Sequence, residues 1–212
     1  MKNVIVLVSG GGTNLQALID AQERGEIKNG KITCVISSNP KAYALERAEK
    51  HGIKSHVLPR KNYPDNQSYT QDLLKLLNSE QADLIVLAGF MIILDKILIQ
   101  AYENKIINVH PSLIPSFCGD GFYGLHVHEK ALEKGVKLTG ATVHFVNEIC
   151  DGGAIILQKA VEIQNHDTPE ILQKRVMEQA EWKILPQAVS LFCEDRLTVI
   201  GNRAYIDYQE GV

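Results

Sequence analysis

Val4-Ile5-Val6-Leu7-Val8-Ser9-Gly10-Gly11-Gly12-Thr13-Asn14 decides the fold. Five apolar residues, four of them β-branched, are apolar on both faces, as a central strand of a parallel sheet requires. The serine and three glycines break the strand, and Thr13 or Asn14 opens a helix to about Arg24. A strand, a glycine turn and a helix in that order begin a βαβ unit. The theme then repeats, with strands near 31–37 and 55–58, helices near 42–51 and 69–77, and a buried strand over Asp83-Leu84-Ile85-Val86-Leu87-Ala88. Right-handed crossovers turn this alternation into a doubly wound, mainly parallel α/β sheet.

Further along, residues 95–103 read as a helix, 105–109 as a strand, and about 127–134 as another helix. From Leu138 the pattern changes to alternation, with Thr142, His144 and Val146 against Ala141, Val143 and Phe145. A second extended run, 154–163, follows Asp151-Gly152-Gly153. These two strands predict an antiparallel addition in the C-terminal half. Pro169 suits the first turn of a long final helix capped by Asp167 or Thr168, and Pro186 is expected to kink or divide it. A hairpin over 197–200 and 203–206 finishes the pattern. Without linker, repeat or low-complexity segment, residues 1–212 read as one domain, with a nucleotide-binding half to about 105 and a catalytic half over about 106–212.

Composition narrows the class. The chain has 212 residues, 45% hydrophobic and 22% charged, with a formal net charge of -3. That charge offers no general attraction to nucleic acid. No apolar run reaches the roughly 18 residues of a membrane span. The start lacks the form of a signal peptide, so a cytoplasmic protein is expected. Cys34, Cys118, Cys150 and Cys193 lack C-x-x-C spacing, so reduced thiols and no metal are expected.

Two segments carry candidate chemistry. Ser9 to Leu15 lies between a strand and a helix, where unpaired N–H groups and the helix dipole favour an anion. The third glycine of a dinucleotide motif would fall at Leu15, no lysine supplies a P-loop, and the second strand ends in Ser37-Ser38-Asn39 rather than an acid. A monophosphate is therefore preferred over a dinucleotide, the alternative being a plain glycine turn. The second segment is Asn108-Val109-His110-Pro111-Ser112-Leu113-Ile114-Pro115. Side chains two apart on a strand share a face, so Asn108 and His110 point together. Asp151, followed by Gly152 and Gly153, reads either as a turn aspartate or as a third partner. Amide, imidazole and carboxylate beside an anion site suit acyl transfer to an amine.

Ser-Gly-Gly-Gly-Thr-Asn-Leu-Gln at 9–16, Leu-Ala-Gly-Phe-Met at 87–91, the 108–115 segment, Gly-Ala-Thr-Val-His-Phe-Val at 140–146 and Asp-Gly-Gly at 151–153 closely resemble the phosphoribosylglycinamide formyltransferase family. The resemblance runs from residue 3 to about 206. It implies the formyltransferase fold and transfer of a formyl group from 10-formyltetrahydrofolate, a cosubstrate, to the amine of glycinamide ribonucleotide in purine synthesis. It assigns oxyanion stabilisation to Asn108, general acid or proton-shuttle work to His110, and orientation of His110 to Asp151. It assigns the ribonucleotide phosphate to Gly12, Thr13 and Asn14, and its ribose to Glu181. It assigns the folate to Met91, Ile92, Ile93 and Leu94 and to the loop Asn147, Glu148, Ile149 and Cys150. It also implies a cis Ile114-Pro115 peptide. His144 and Thr142 are possible supporting residues, and His126 and His128 are expected at the surface of their helix.

Departures from the family pattern are Ile92 and Asn66, where arginines are frequent on the folate side, and Ala154 for a frequent proline. The loop 116–124 is lengthened and reads as a lid or a plain surface loop. Two other classes compete. Another 10-formyltetrahydrofolate enzyme, a methionyl-tRNA formyltransferase or a deformylase, would want an additional domain that 212 residues are not expected to hold. A non-catalytic nucleotide-binding module would be expected to lack one of Asn108, His110 and Asp151. The expected partners are small-molecule substrates; the sequence leaves the oligomeric state open.

Overall fold

The computed structural model describes residues 1–208. Its seven-stranded sheet contains β1 (Lys2–Val8), β2 (Gly30–Ser37), β3 (Lys54–Val57), β4 (Leu84–Leu87), β5 (Ile106–His110), β6 (Leu138–Phe145) and β7 (Ile155–Glu162). The order is β3-β2-β1-β4-β5-β6-β7. The first five strands are parallel, whereas β6 runs antiparallel to β5 and β7 antiparallel to β6. Between β1 and β4 the winding direction reverses, which opens a crevice at the carboxyl ends of the strands. The expected doubly wound sheet with an antiparallel addition is therefore the fold observed.

Helices α1 (Thr13–Glu23), α2 (Tyr43–Lys50), α3 (Asn66–Ser79), α4 (Lys96–Ala101), α5 (Leu125–Lys134), α6 (Pro169–Val176) and α7 (Trp182–Cys193) connect or flank the strands. The separate hairpin is β8 (Leu197–Ile200) with β9 (Arg203–Ile206). Strand β1 shows why the sheet is covered on both sides. Val4, Val6 and Val8 enter a core with Leu15, Leu18, Leu185 and Val189, while Ile5 and Leu7 enter a second core with Tyr69, Leu73, Leu77 and Leu98. The period of two along the strand sorts one run of apolar residues between two helix layers.

Two local expectations need correction. His128 is fully buried in α5. Val127, His128 and Ala131 form the inward face of that helix, so helical spacing carries the imidazole inside despite its polarity. Neither ring nitrogen has a partner among the described residues, and burial followed by repulsion from His110 pulls its pKa down to about 4. The long C-terminal helix is divided, but not at Pro186. The division is a π turn over Met177–Glu181, and α7 continues through the proline. As the fifth residue of α7, Pro186 leaves only the carbonyl of Trp182, in the helix's first turn, without its usual donor. Thr168, not Asp167, caps α6, accepting the N–H of Ile171, and Pro169 takes the first turn as expected.

Candidate active site

Strand register brings the polar residues together. Asn108 on β5 lies opposite His144 on β6, and His110 lies opposite Thr142. The intervening Ile107, Val109 and Val143 point to the other face and into the core. Opposed side chains on one face are close enough to touch, and Asn108 Nδ2 lies 3.2 Å from His144 Nε2. His144 Nδ1 donates to the carbonyl of Phe145 at 2.7 Å. That bond leaves Nε2 facing both the Asn108 amide and the Asp151 carboxylate.

Asp151 completes the group from the loop between β6 and β7. Its Oδ2 is 3.5 Å from His110 Nδ1, and its Oδ1 is 3.5 Å from His144 Nε2. The loop can approach because Gly153 has no side chain: a Cβ there would lie 1.8 Å from the carbonyl oxygen of Phe145. Asp151 itself takes a left-handed backbone, φ 53°, which aspartate tolerates better than most residues. Burial opposes ionisation of Asp151, yet His144, His110 and the N–H of Gly119 together hold its pKa below the usual carboxylate value. The His110 pKa is lowered as well, which for an imidazole favours the neutral form: burial lowers it, and the attraction of Asp151 only partly offsets this. The two directions agree on an ionised aspartate beside a histidine that is neutral at pH 7.

The loop 116–124 reaches this group through its backbone. Phe117 O accepts from His110 Nε2 at 2.8 Å, and Gly119 N–H donates to Asp151 Oδ2 at 2.9 Å. Phe117 holds φ at 50°, a left-handed conformation that costs a bulky residue about 1–2 kcal/mol. Thr142 supports the loop rather than the polar group. Its hydroxyl donates to Ser112 O at 2.7 Å and accepts from Ile114 N–H and Gln158 Nε2. The Ile114-Pro115 peptide is cis.

The glycine loop ends at Gly12, the left-handed N-cap of α1 (φ 71°), and no side chain among the described residues caps that helix. The first N–H groups of α1 are therefore available to an anion. Helix α2 packs tightly here, since a Cβ on Gly12 would lie 2.6 Å from Ala44 Cβ. Arg47, which sequence reasoning missed, donates from Nε to Gly11 O and from Nη1 to Gln16 Oε1, each at 2.9 Å. Only the fold brings it across 36 residues to the loop. Asn14 Nδ2 donates to Glu181 Oε2 at 2.7 Å. Glu181 is 6% exposed, and burial raises its pKa to about 7, against the opposing Asn14 bond. Gly12, Thr13, Asn14 and Glu181 thus form one patch, tied also by Thr13 Oγ1 to Met177 Sδ at 3.7 Å.

A third patch follows β4. Met91 and Ile93 are 57% and 75% exposed, whereas Ile92 and Leu94 pack against the second core. Met91 N–H donates to Ser9 Oγ at 2.9 Å, tying this segment to the glycine loop. In the loop before β7, Ile149 is 69% exposed, and the loop is closed by Ile149 N–H to Asn147 Oδ1 and by Asn147 Nδ2 to Gly152 O. Glu148 accepts from Gln100 at 2.9 Å, and Cys150 is exposed. Asn66 begins α3, apart from these contacts.

Residues 2–189 match the family model described as formyl transferase. The chain is 44% identical to phosphoribosylglycinamide formyltransferase of Haemophilus influenzae over 207 residues, covering 98% of this chain and 94% of that protein. Among solved structures, glycinamide ribonucleotide transformylase 1 from Symbiobacterium toebii superposes with a TM-score of 0.91 at 41% identity, covering 97% of this chain and 94% of that one. A formyltetrahydrofolate deformylase from Pseudomonas syringae superposes with a TM-score of 0.86 at 30% identity, covering 97% of this chain and 65% of that one.

Proposed function

The chain belongs to the formyl transferase family, in its phosphoribosylglycinamide formyltransferase branch, and from this premise we propose that it transfers the formyl group of 10-formyltetrahydrofolate to the amine of glycinamide ribonucleotide in purine synthesis. The observation that carries this reading is the linked group Asn108, His144, Asp151 and His110 on a chain that also offers an uncapped helix start joined to buried Glu181.

In this reading the helix start at Gly12, Thr13 and Asn14 receives the phosphate, and Glu181 with Asn14 receives the ribose hydroxyls. Exposed apolar surface at Met91, Ile93 and Ile149 fits a flat heteroaromatic ring, with Asn147, Glu148 and Cys150 at its rim and Ile92 and Leu94 as the packed base. When bound, the folate supplies an activated formyl group. Asn108 has two amide N–H groups, one engaged by His144; the other is free to donate to the oxygen that gains negative charge as the amine adds. Neutral His110 takes up the proton that the amine loses and returns it to the departing nitrogen. Asp151 orients that ring and stabilises it while charged. No serine or cysteine nucleophile is required, because the substrate amine attacks directly. The chemistry requires no metal, and the whole chain works as one formyltransferase domain among soluble cytoplasmic metabolites. Among the described residues no helix is long and apolar enough to cross a membrane.

Formyl transfer assayed with each substrate omitted in turn tests the proposal. Formylated product and folate turnover should both require the ribonucleotide. Release of formate without it would favour the hydrolytic reading that the deformylase likeness raises.

A further inference from the structure

Cys34, His56 and Glu80 are distant in sequence, and the fold gathers them beyond the patches described above. Cys34 lies on β2, His56 on β3, and Glu80 caps the C-terminus of α3. One ligand atom from each lies within 4.8 Å of the other two. Register explains the convergence: Cys34 pairs with Lys54 and Ile36 with His56. Alternation then sets Cys34, Lys54 and His56 on one face of the sheet, the face that α3 covers. Glu80 Oε1 accepts from Lys54 Nζ at 2.6 Å and from His56 Nε2 at 2.9 Å.

We propose that Cys34, His56 and Glu80 form a binding site for a thiophilic divalent cation of the zinc type. Thiolate, imidazole and carboxylate are the donor set such ions select, and three protein ligands leave a fourth position for water. Bonds of about 2.0–2.3 Å in a tetrahedron put ligand atoms about 3.3–3.8 Å apart, so the longest separations close by up to about 1 Å while His56 and Glu80, now 2.9 Å apart, open slightly. Glu80 already holds a positive charge in Lys54, whose side chain is 58% exposed and free to swing into water. The cation takes that charge's place. It forms the sulfur–metal bond as the thiol proton leaves to solvent, so thiolate and carboxylate balance its two charges. The His56 proton now shared with Glu80 moves to the other ring nitrogen. Helix α3 ends here after returning toward the amino ends of the strands, so the ion braces the β2-β3 edge and takes no part in formyl transfer.

Anaerobic titration of the full, chelator-stripped chain with Co²⁺ tests the site. One equivalent should produce a thiolate-to-cobalt absorption band, and Zn²⁺ should displace it. Cys34→Ala should abolish the band, and His56→Ala and Glu80→Gln should each weaken binding at least tenfold. Lys54→Met, which removes the competing ammonium, should tighten it. His56 and Glu80 are partly exposed, so their variants carry the test if Cys34→Ala fails to fold. Absence of the band, or a band of undiminished affinity in His56→Ala and Glu80→Gln, overturns the proposal, the latter by assigning cobalt to Cys118 or Cys150.

Discussion

Asn108 Nδ2 lies 3.2 Å from His144 Nε2, and the far side of that imidazole is anchored on the carbonyl of Phe145. The amide therefore presents its oxygen and one remaining N–H in a set orientation. His144→Phe should lower kcat tenfold to a hundredfold with little change in either KM, because it frees the amide to rotate. His144→Gln, which keeps an acceptor, should recover part of the loss. Removing the donor itself in Asn108→Ala should cost about 3 kcal/mol, roughly a hundredfold in kcat. Equal kcat values for His144→Phe and the unmodified chain would remove His144 from the positioning role.

Asp151 and His110 make a pH prediction. Burial lowers the His110 pKa below 6.5, and Asp151 acts against that shift. The acidic limb of kcat/KM should therefore fall below pH 6.5 and reflect protonation of His110. Asp151→Asn removes the attraction, so the limb should move to still lower pH while the plateau drops. A limb that moves upward in that variant contradicts the assignment.

Glu181 links stability to pH with an unusual sign for a carboxyl. Its pKa is raised from 4.5 to about 7 in the folded state, so the folded chain holds the proton more tightly. The resulting stabilisation is complete below pH 4.5 and is lost as pH rises to about 7. Denaturant unfolding of Glu181→Gln should lack this loss, and the pH-dependent difference from the unmodified chain should approach about 3 kcal/mol. The same variant should raise KM for the ribonucleotide and leave KM for the folate unchanged.

His128 runs the other way. A histidine lowered from 6.5 to about 4 on folding destabilises the folded state as pH falls, so its neutral form contributes fully above pH 6.5 and that contribution declines toward pH 4. Over about pH 4.5–6.5 the effects of Glu181 and His128 oppose each other, and the intact chain should have a flatter stability profile than either variant. His128→Leu should also be more stable at pH 7 by about 1–2 kcal/mol, because it removes two buried ring nitrogens without partners. Equilibrium unfolding at pH 5 and 7 tests both effects.

Much of this arrangement was legible in the sequence because it rests on short-range periodicity. The β-branched runs predicted the strands, the period of two put Asn108 beside His110, and the same alternation paired Thr142 with His144. Contacts made through the backbone or across the fold were not legible. Phe117 meets His110 through a carbonyl that no side-chain pattern reveals, and Arg47 meets Gly11 only because α2 docks on the loop. His128 was misplaced for a different reason. Polarity suggests the surface, but the helical spacing it shares with Val127 and Ala131 carries it inside. Pro186 marked a disturbed helix but not where its register changes, because a π turn has no residue signature as strong as proline's.

That π turn has a consequence for how the chain can vary in length. The extra residue in Met177–Glu181 sets the angular phase at which Glu181 leaves the helix and meets Asn14. Each residue of an α-helix advances about 100° around the axis. Deleting one residue here would restore regular winding and remove the wider turn that carries the carboxyl to the amide. Glu178 and Gln179 are exposed and open to substitution, so this segment is tolerant of spelling but not of counting.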